Sequence, residues 1–443
     1  MKRTKLWIMI QQSFWFLPVI YGIISIVLAI ASTQIDFSFT EDELKTIAPA
    51  VLVPDTDLGV ELLSTLTTVT LTMTTITFST IMVVLTTFSS QFSPRTLQNF
   101  ISDRKTQHIL AIFIGGFIYH LVAFLQLRSP GNESILLTPV LAGVIAIIGV
   151  AAFVYFINHV AKFIQVNNLI NRLTKEALTT IGRLNDDVRR YQKDPRQNDF
   201  SNINSQQEEG KITAKHAGYI NLIDFSMLMN YIEQDNITVR MNVYVGDFVV
   251  TGMTLLTYYQ APDHPITNTE KYRACVKVGT ERTGVQDIEF SIQKIVEIAL
   301  RAISPSTNDP HTAINCINRI GEIFIKLGNK EWLQPELYDS QQQQRLTIKH
   351  PDFSYYLYKA FFQIRHYGNE DVSVTTAILN VLKLIAANTP SNLQETIWKF
   401  AMYVYEGLNK EVLLSLDKSY LKSELYQIAE VTSHDVPESV TDD

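Results

Sequence analysis

Residues 61–95 read ELLSTLTTVTLTMTTITFSTIMVVLTTFSSQFSPR. From Leu62 to Phe88 no residue carries a charge, a run of 27 where about 20 suffice to cross a bilayer. The run is nevertheless dense in hydroxyls, with Ser64, Thr65, Thr67, Thr68, Thr70, Thr72, Thr74, Thr75, Thr77, Ser79 and Thr80 in succession. A threonine hydroxyl bonds back to the carbonyls of its own helix and is tolerated in a membrane. Tolerance alone does not account for this density. Two readings do: the helix packs closely against neighbouring helices, or one of its faces lines water.

Helical spacing sharpens the second reading. Thr68, Thr72, Thr75 and Ser79 share one face, and Thr67, Thr70, Thr74 and Thr77 form an adjacent stripe. Further along, Ile81, Met82, Val83 and Leu85, with Val84 among them, are apolar all round. A hydroxyl-lined conduit with an apolar collar is a channel design, because a narrow apolar ring gates by dewetting. Ser93-Pro94 punctuates the helix.

The flanks give the topology. Lys2, Arg3 and Lys5 precede a first span over Phe14–Ala31, read as a retained helix rather than a cleaved signal peptide. Residues 34–61 are acidic, with Asp36, Glu41, Asp42, Glu43, Asp55, Asp57 and Glu61 against Lys45. Third and fourth spans are expected over Ile109–Leu127 and Val140–Val160, with Arg95, Arg104, Lys105, Lys162, Arg172 and Lys175 on the side of the basic N-terminus. The positive-inside rule then puts both termini in the cytoplasm and the acidic loop outside. Gly115-Gly116 suits close packing in the third span. For His120 and His159 an interfacial position or one interhelical hydrogen bond is expected. No Asp or Glu is expected inside any span, which speaks against a carboxylate-driven transporter.

Beyond residue 170 the long apolar runs stop. The helix after the fourth span is read as continuing toward Tyr191, residues 193–211 as a polar linker and Ile220–Ile232 as a helix. Alternation of Val239, Met241, Val243 and Val245, with turns at Gly246-Asp247 and Thr251-Gly252, marks strands, and residues 273–278 are read as another. Residues 286–302 have helical periodicity, with Ile288, Ile292, Ile295, Ile298 and Ala299 inward, while Asp287, Lys294, Glu297 and Arg301 sit on a polar flank. Asp309-Pro310 is an N-cap followed by proline at the first helical position, opening a helix through Ile325. Residues 355–430 read as two or three helices. Arg282, Asp287, Arg301, Asn308, Asp309 and His311 are the polar residues from which a regulatory site would be built. The fold expected is an α-helical membrane protein: four transmembrane helices over 1–170, a helical extension and linker over 171–212, a small β-rich cytosolic subdomain over 213–280 and a helical one over 281–443.

Several stretches together resemble a known bacterial family of predicted membrane proteins, the domain of unknown function 2254. They are SSQFSPR (89–95) with the following LQNFISDRKTQ, then GDFV (246–249), RTGVQD (282–287) and ALRAISPSTNDPHTAI (299–314). The resemblance covers most of the chain. It implies four spans and a cytosolic domain, and carries no catalytic residues.

Composition narrows the function classes. The net charge of −7 leaves no basic surface for nucleic acid. Cys275 and Cys316 lack the spacing of a disulfide framework or zinc site. No nucleophile elbow, phosphate-cradling glycine loop or metal-ligand cluster is present, so neither an enzyme nor a cofactor is expected. The leading expectation is a homo-oligomeric channel for monovalent cations such as sodium or potassium, with the Thr-rich helix lining its pore. The alternatives are a membrane-anchored sensor or scaffold and, third, a transporter.

Overall fold

A computed structural model describes residues 15–38, 56–91, 103–127, 137–192, 208–261, 266, 268–330 and 335–441. The chain divides into two units, Met1–Gln165 and Val166–Asp443. The basic N-terminus, most of the acidic loop and Ser93-Pro94 lie outside the described residues.

Apolar length builds the first unit. Helices α1 (Phe16–Asp36), α2 (Thr56–Gln91), α3 (Arg104–Leu127) and α4 (Leu137–Ile164) are each long and apolar enough to cross a membrane. All four expected spans are present, with wider bounds than hydropathy suggests. Helix α2 takes in Asp57 and Glu61, and α1 runs past Ala31 to Asp36. The expectation that no carboxylate lies inside a span is therefore corrected. Asp36 is 1% exposed. Its two oxygens accept from the backbone N–H groups of Leu137 at 2.7 Å and Thr138 at 2.8 Å. Those N–H groups open α4 and have no partner within their own helix. A carboxylate placed there gains two charge-assisted bonds and the favourable end of the helix dipole.

Adjacent glycines let α3 meet its neighbours on two sides. A Cβ on Gly115 would lie 2.9 Å from Ser25 Oγ of α1. One on Gly116 would lie 3.3 Å from Ile145 of α4 and 3.6 Å from Thr70 of α2. His120 joins the same elements with two interhelical bonds rather than one. Its Nδ1 is 3.0 Å from Thr70 Oγ1 and its Nε2 is 3.1 Å from the Ala142 carbonyl.

The second unit opens with α5 (Val166–Arg189), after a break in the helix at Gln165. Eight strands follow: β1 (Glu208–Thr213), β2 (Gly218–Ile223), β3 (Thr238–Met241), β4 (Phe248–Val249), β5 (Thr254–Gln260), β6 (Val276–Gly279), β7 (Glu336–Tyr338) and β8 (Gln344–Thr347). They form a five-stranded sheet ordered β1-β5-β3-β8-β7 and a three-stranded sheet ordered β4-β2-β6. Among the described strands only the β3–β8 pairing is parallel, with Val239 opposite Leu346. Between the strands lie α6 (Phe225–Gln234) and α7 (Glu270–Cys275). Ile220–Ile223 is thus strand rather than helix, and the helix starts only where Asp224 caps it by accepting from Met227 N–H at 2.9 Å. Similarly, residues 273–278 are helix up to Cys275 and strand beyond. One apolar core under the sheets includes Ile220, Leu228, Val239, Leu256, Leu337 and Leu346.

A helical layer completes this unit: α8 (Ile288–Ala302), α9 (Pro310–Gly328), α10 (Phe353–Tyr367), α11 (Val372–Ala387), α12 (Gln394–Glu406), α13 (Ser415–Thr432) and the short α14 (Glu438–Thr441). Four longer helices therefore occupy the segment read as two or three. The inward isoleucines of α8 and Ala299 are buried as expected. Lys294 departs from the expected polar flank. It is buried, because Glu176 of α5 meets its Nζ at 3.0 Å and the Phe290 ring lies beneath it.

Candidate functional site

Helix α2 presents two different faces. Toward the rest of its unit it buries Leu63, Thr70, Thr77, Ile81 and Val84. The spacing of seven from Leu63 through Thr70 and Thr77 to Val84 is that of a packed helix seam. On the other side Glu61, Thr65, Thr68, Thr72, Thr75, Ser79, Met82 and Thr86 are all exposed. They step alternately by four and three, so they make one straight stripe along the helix.

The expected pore residues are divided between these faces. Thr68, Thr72, Thr75 and Ser79 lie on the exposed stripe, Thr67 and Thr74 are half-buried beside it, and Thr70 and Thr77 are inside the subunit. The expected collar divides too. Met82 and Val83 are 62% and 64% exposed, Leu85 is half-buried, and Ile81 packs inward at 6%.

From Thr67 onward the threonine hydroxyls of α2 lie within hydrogen-bond distance of the carbonyl four residues back. Thr68 donates to the Ser64 carbonyl at 3.0 Å, Thr72 to Thr68 at 2.8 Å and Thr75 to Leu71 at 3.0 Å. Thr77 donates to Met73 in the same way, whereas the Thr70 hydroxyl has both the Leu66 carbonyl at 2.7 Å and His120 Nδ1 at 3.0 Å within reach. With its hydrogen turned into the helix, a hydroxyl offers only lone pairs to whatever lies outside. On the exposed stripe Thr68, Thr72, Thr75 and Thr86 consequently offer acceptor lone pairs, and the Glu61 carboxylate lies at one end.

In the second unit, the polar residues singled out from the sequence separate into two groups. Asp287 caps α8 by accepting from Phe290 N–H at 2.9 Å. Arg282 closes on it, with Nε and Nη2 on the two Asp287 oxygens, and Nη2 also 3.0 Å from Glu289 Oε2. Gly246 abuts this ion pair: it stands at φ +101°, and a Cβ there would lie 2.6 Å from Arg282 Nη2. Gln286 pairs with both backbone groups of Ile223, accepting from its N–H at 2.8 Å and donating to its carbonyl at 3.1 Å. The GDFV and RTGVQD stretches thus meet in one brace that fastens β2 to α8. Within it Arg282 Nε and Nη2, both Asp287 oxygens and the Gln286 amide are all engaged.

Arg301, Asn308, Asp309 and His311 sit at the other end of α8. From Asp287 to Arg301 the helix advances about 21 Å, so the two groups do not form one site. Asn308 takes a left-handed conformation with φ +49°. Asp309 caps α9 as expected, accepting from the Thr312 hydroxyl at 2.6 Å and the Thr312 N–H at 3.2 Å. Those two bonds, the hydroxyl's first, hold its carboxyl below the usual carboxylate range. Arg301, Asn308 and His311 are exposed. Among the described residues no group of His, Cys, Asp and Glu is arranged to hold a metal ion, and Cys275 and Cys316 are buried free thiols. Sequence reading missed Asp36 as a buried cap and Gln286 as a strand partner. In both cases the signal lies in a residue distant along the chain.

The family described as "Predicted membrane protein (DUF2254)" matches residues 11–384. Two curated relatives, the "Uncharacterized protein Rv1290c" of Mycobacterium tuberculosis and the "Uncharacterized protein Mb1321c" of Mycobacterium bovis, are each 29% identical over 312 residues. The alignment covers 68% of this chain and 58% of each relative, so the chain spans under two thirds of the length of the relatives it matches. No solved structure matches the chain.

Proposed function

The chain belongs to the DUF2254 family of predicted membrane proteins, and we propose that copies of it assemble around α2 into a cation channel. The observation that carries this reading is the exposed acceptor stripe of α2. Small residues at alternating steps of four and three suit close approach of helices from several copies. A stripe of lone pairs stands in for water around a cation and repels an anion, without a fixed charge in the bilayer. Glu61 at one end of the stripe concentrates cations at the mouth. The constriction falls at Met82 and Val83, the members of the apolar segment that reach the free face. The setting is the bacterial plasma membrane. The basic loops argue for both termini in the cytoplasm, and the role is conductive rather than catalytic.

Flux from liposomes, with sodium, potassium and chloride gradients imposed separately, tests this reading. Selective cation flux is expected. Cysteines replacing Thr68, Thr72, Thr75 or Ser79 should react with a small aqueous thiol reagent and lose most of that flux. Cysteines at Thr70 or Thr77 should be protected. Protection at all six positions, or chloride flux equal to cation flux, would count decisively against the α2-lined cation pore. A smaller polar residue at Met82, as in Met82→Ser, should raise the leak.

A further inference from the structure

A second feature of the chain has no part in conduction. A cavity of about 440 Å³ opens between α5 and the loop leading into α8, within the size range of small-molecule sites. Arg172, Lys175, Thr179 and Arg183 line it from α5, and Gly284 and Val285 line it from the loop. The α5 residues recur at steps of three and four, so they share one face.

The charge balance of this cavity is one-sided. Glu176 is the single carboxylate among its lining residues. The buried Lys294 meets that carboxylate from behind at 3.0 Å and neutralises it. Arg172, Lys175 and Arg183 remain as a net positive wall. Among the described residues the Lys175 and Arg183 side chains have no acidic partner. Like charges held along one helix face cost stability, and an anion in the groove relieves that cost.

The opposite wall is made of main chain. Thr180 Oγ1 donates to the Gly284 carbonyl at 3.1 Å and fastens the loop to α5. A Cβ on Gly284 would lie 2.6 Å from Glu176 Oε1, so no side chain fits between them. Val285 is 52% exposed at the rim and offers an apolar contact beside the charges.

Guanidinium forks and a lysine point charge are the groups that recognise phosphate. From Arg172 to Arg183 the helix advances about 16 Å, a row of cations whose length a chain of linked phosphates matches, whereas a single phosphate would need both end side chains to lean inward. We propose that this groove binds a small soluble molecule carrying two or more linked phosphates, with Arg172, Lys175 and Arg183 as its ligands. The RTGVQD stretch then serves two structures: Arg282 and Asp287 brace the sheet, and Gly284 and Val285 form the wall of the groove.

The test is isothermal titration calorimetry on the full chain in phosphatidylcholine nanodiscs, with inorganic tripolyphosphate as probe. Saturable binding is expected. It should weaken at least tenfold in the combined Lys175→Glu and Arg183→Glu variant, whose sites are exposed and whose elution should be unchanged. Lys399→Glu, a charge reversal on α12, should bind like the parent. Orthophosphate should bind at least tenfold more weakly. Absence of tripolyphosphate binding, or binding indifferent to the double substitution, overturns the proposal. Orthophosphate as good as tripolyphosphate overturns the linked-phosphate assignment. Displacement of the probe by equimolar short-chain phosphatidylglycerol overturns it in favour of a lipid headgroup. The readout needs no current, so failure here leaves the channel reading standing, and the reverse also holds.

Discussion

At the scale of single residues, the brace between Gly246, Arg282 and Asp287 makes the sharpest prediction. Gly246→Ala forces a side chain into a left-handed backbone and against the ion pair, where Cβ would sit 2.7 Å from Asp287 Oδ2. Backbone strain of this kind costs about 1–3 kcal/mol, and moving the Arg282–Asp287 pair adds to it. Gly252 is the natural comparison. It stands at φ +87° with nothing within 4 Å of a would-be Cβ, so Gly252→Ala carries the backbone cost alone. The thermal midpoint of the detergent-solubilised protein should fall further for Gly246→Ala. Equal falls would mean that the ion pair yields freely and is no reason for glycine. The turn at Gly246-Asp247 was legible in the sequence because turn residues act locally. The reason for glycine was not, since the groups that exclude a side chain lie on the loop before α8.

At the scale of elements, α2 shows what periodicity can and cannot tell. It gave the helix and its two hydroxyl stripes, but two adjacent stripes of the same residue type carry no sign of which one packs inward. The packing partners decide that. Thr70 meets His120 of α3, whereas Thr77 bonds only to the Met73 carbonyl of its own helix. Thr70→Val should therefore leave His120 Nδ1 unpaired in an apolar interior, at a cost of about 1–3 kcal/mol. The near-isosteric Thr77→Val should cost much less. Thermal midpoints of the two variants in one detergent check this, and an equal loss would deny His120 its bonding role. Ile220–Ile223 illustrates the same limit among the strands. A short apolar run is ambiguous between helix and strand. It becomes a strand because β6 arrives from later in the chain to pair with it, Val278 opposite Ile220 and Val276 opposite Ile223, while β4 pairs with the start of β2 at Gly218 and Tyr219.

At the scale of the whole molecule, four spans were readable because hydropathy is summed over some twenty residues and survives local errors. Their ends were not, and Asp36 shows why. A composition window places an aspartate after an apolar run in solvent, while the fold carries the helix on and closes the carboxylate over the start of α4. Asp36→Ala should lower the thermal midpoint more than Asp36→Asn, which keeps one oxygen for one of the two N–H groups. Identical losses would show that only one bond matters. The same bond bears on how the protein is made. Asp36 precedes its partner Leu137 by 101 residues. At a synthesis rate of about 5–20 residues per second, roughly 5–20 s separate the two at the ribosome. For that interval the nascent first span holds a carboxylate without its amides. The insertion machinery must therefore shelter it, or delay its release into lipid, until the last hairpin is delivered.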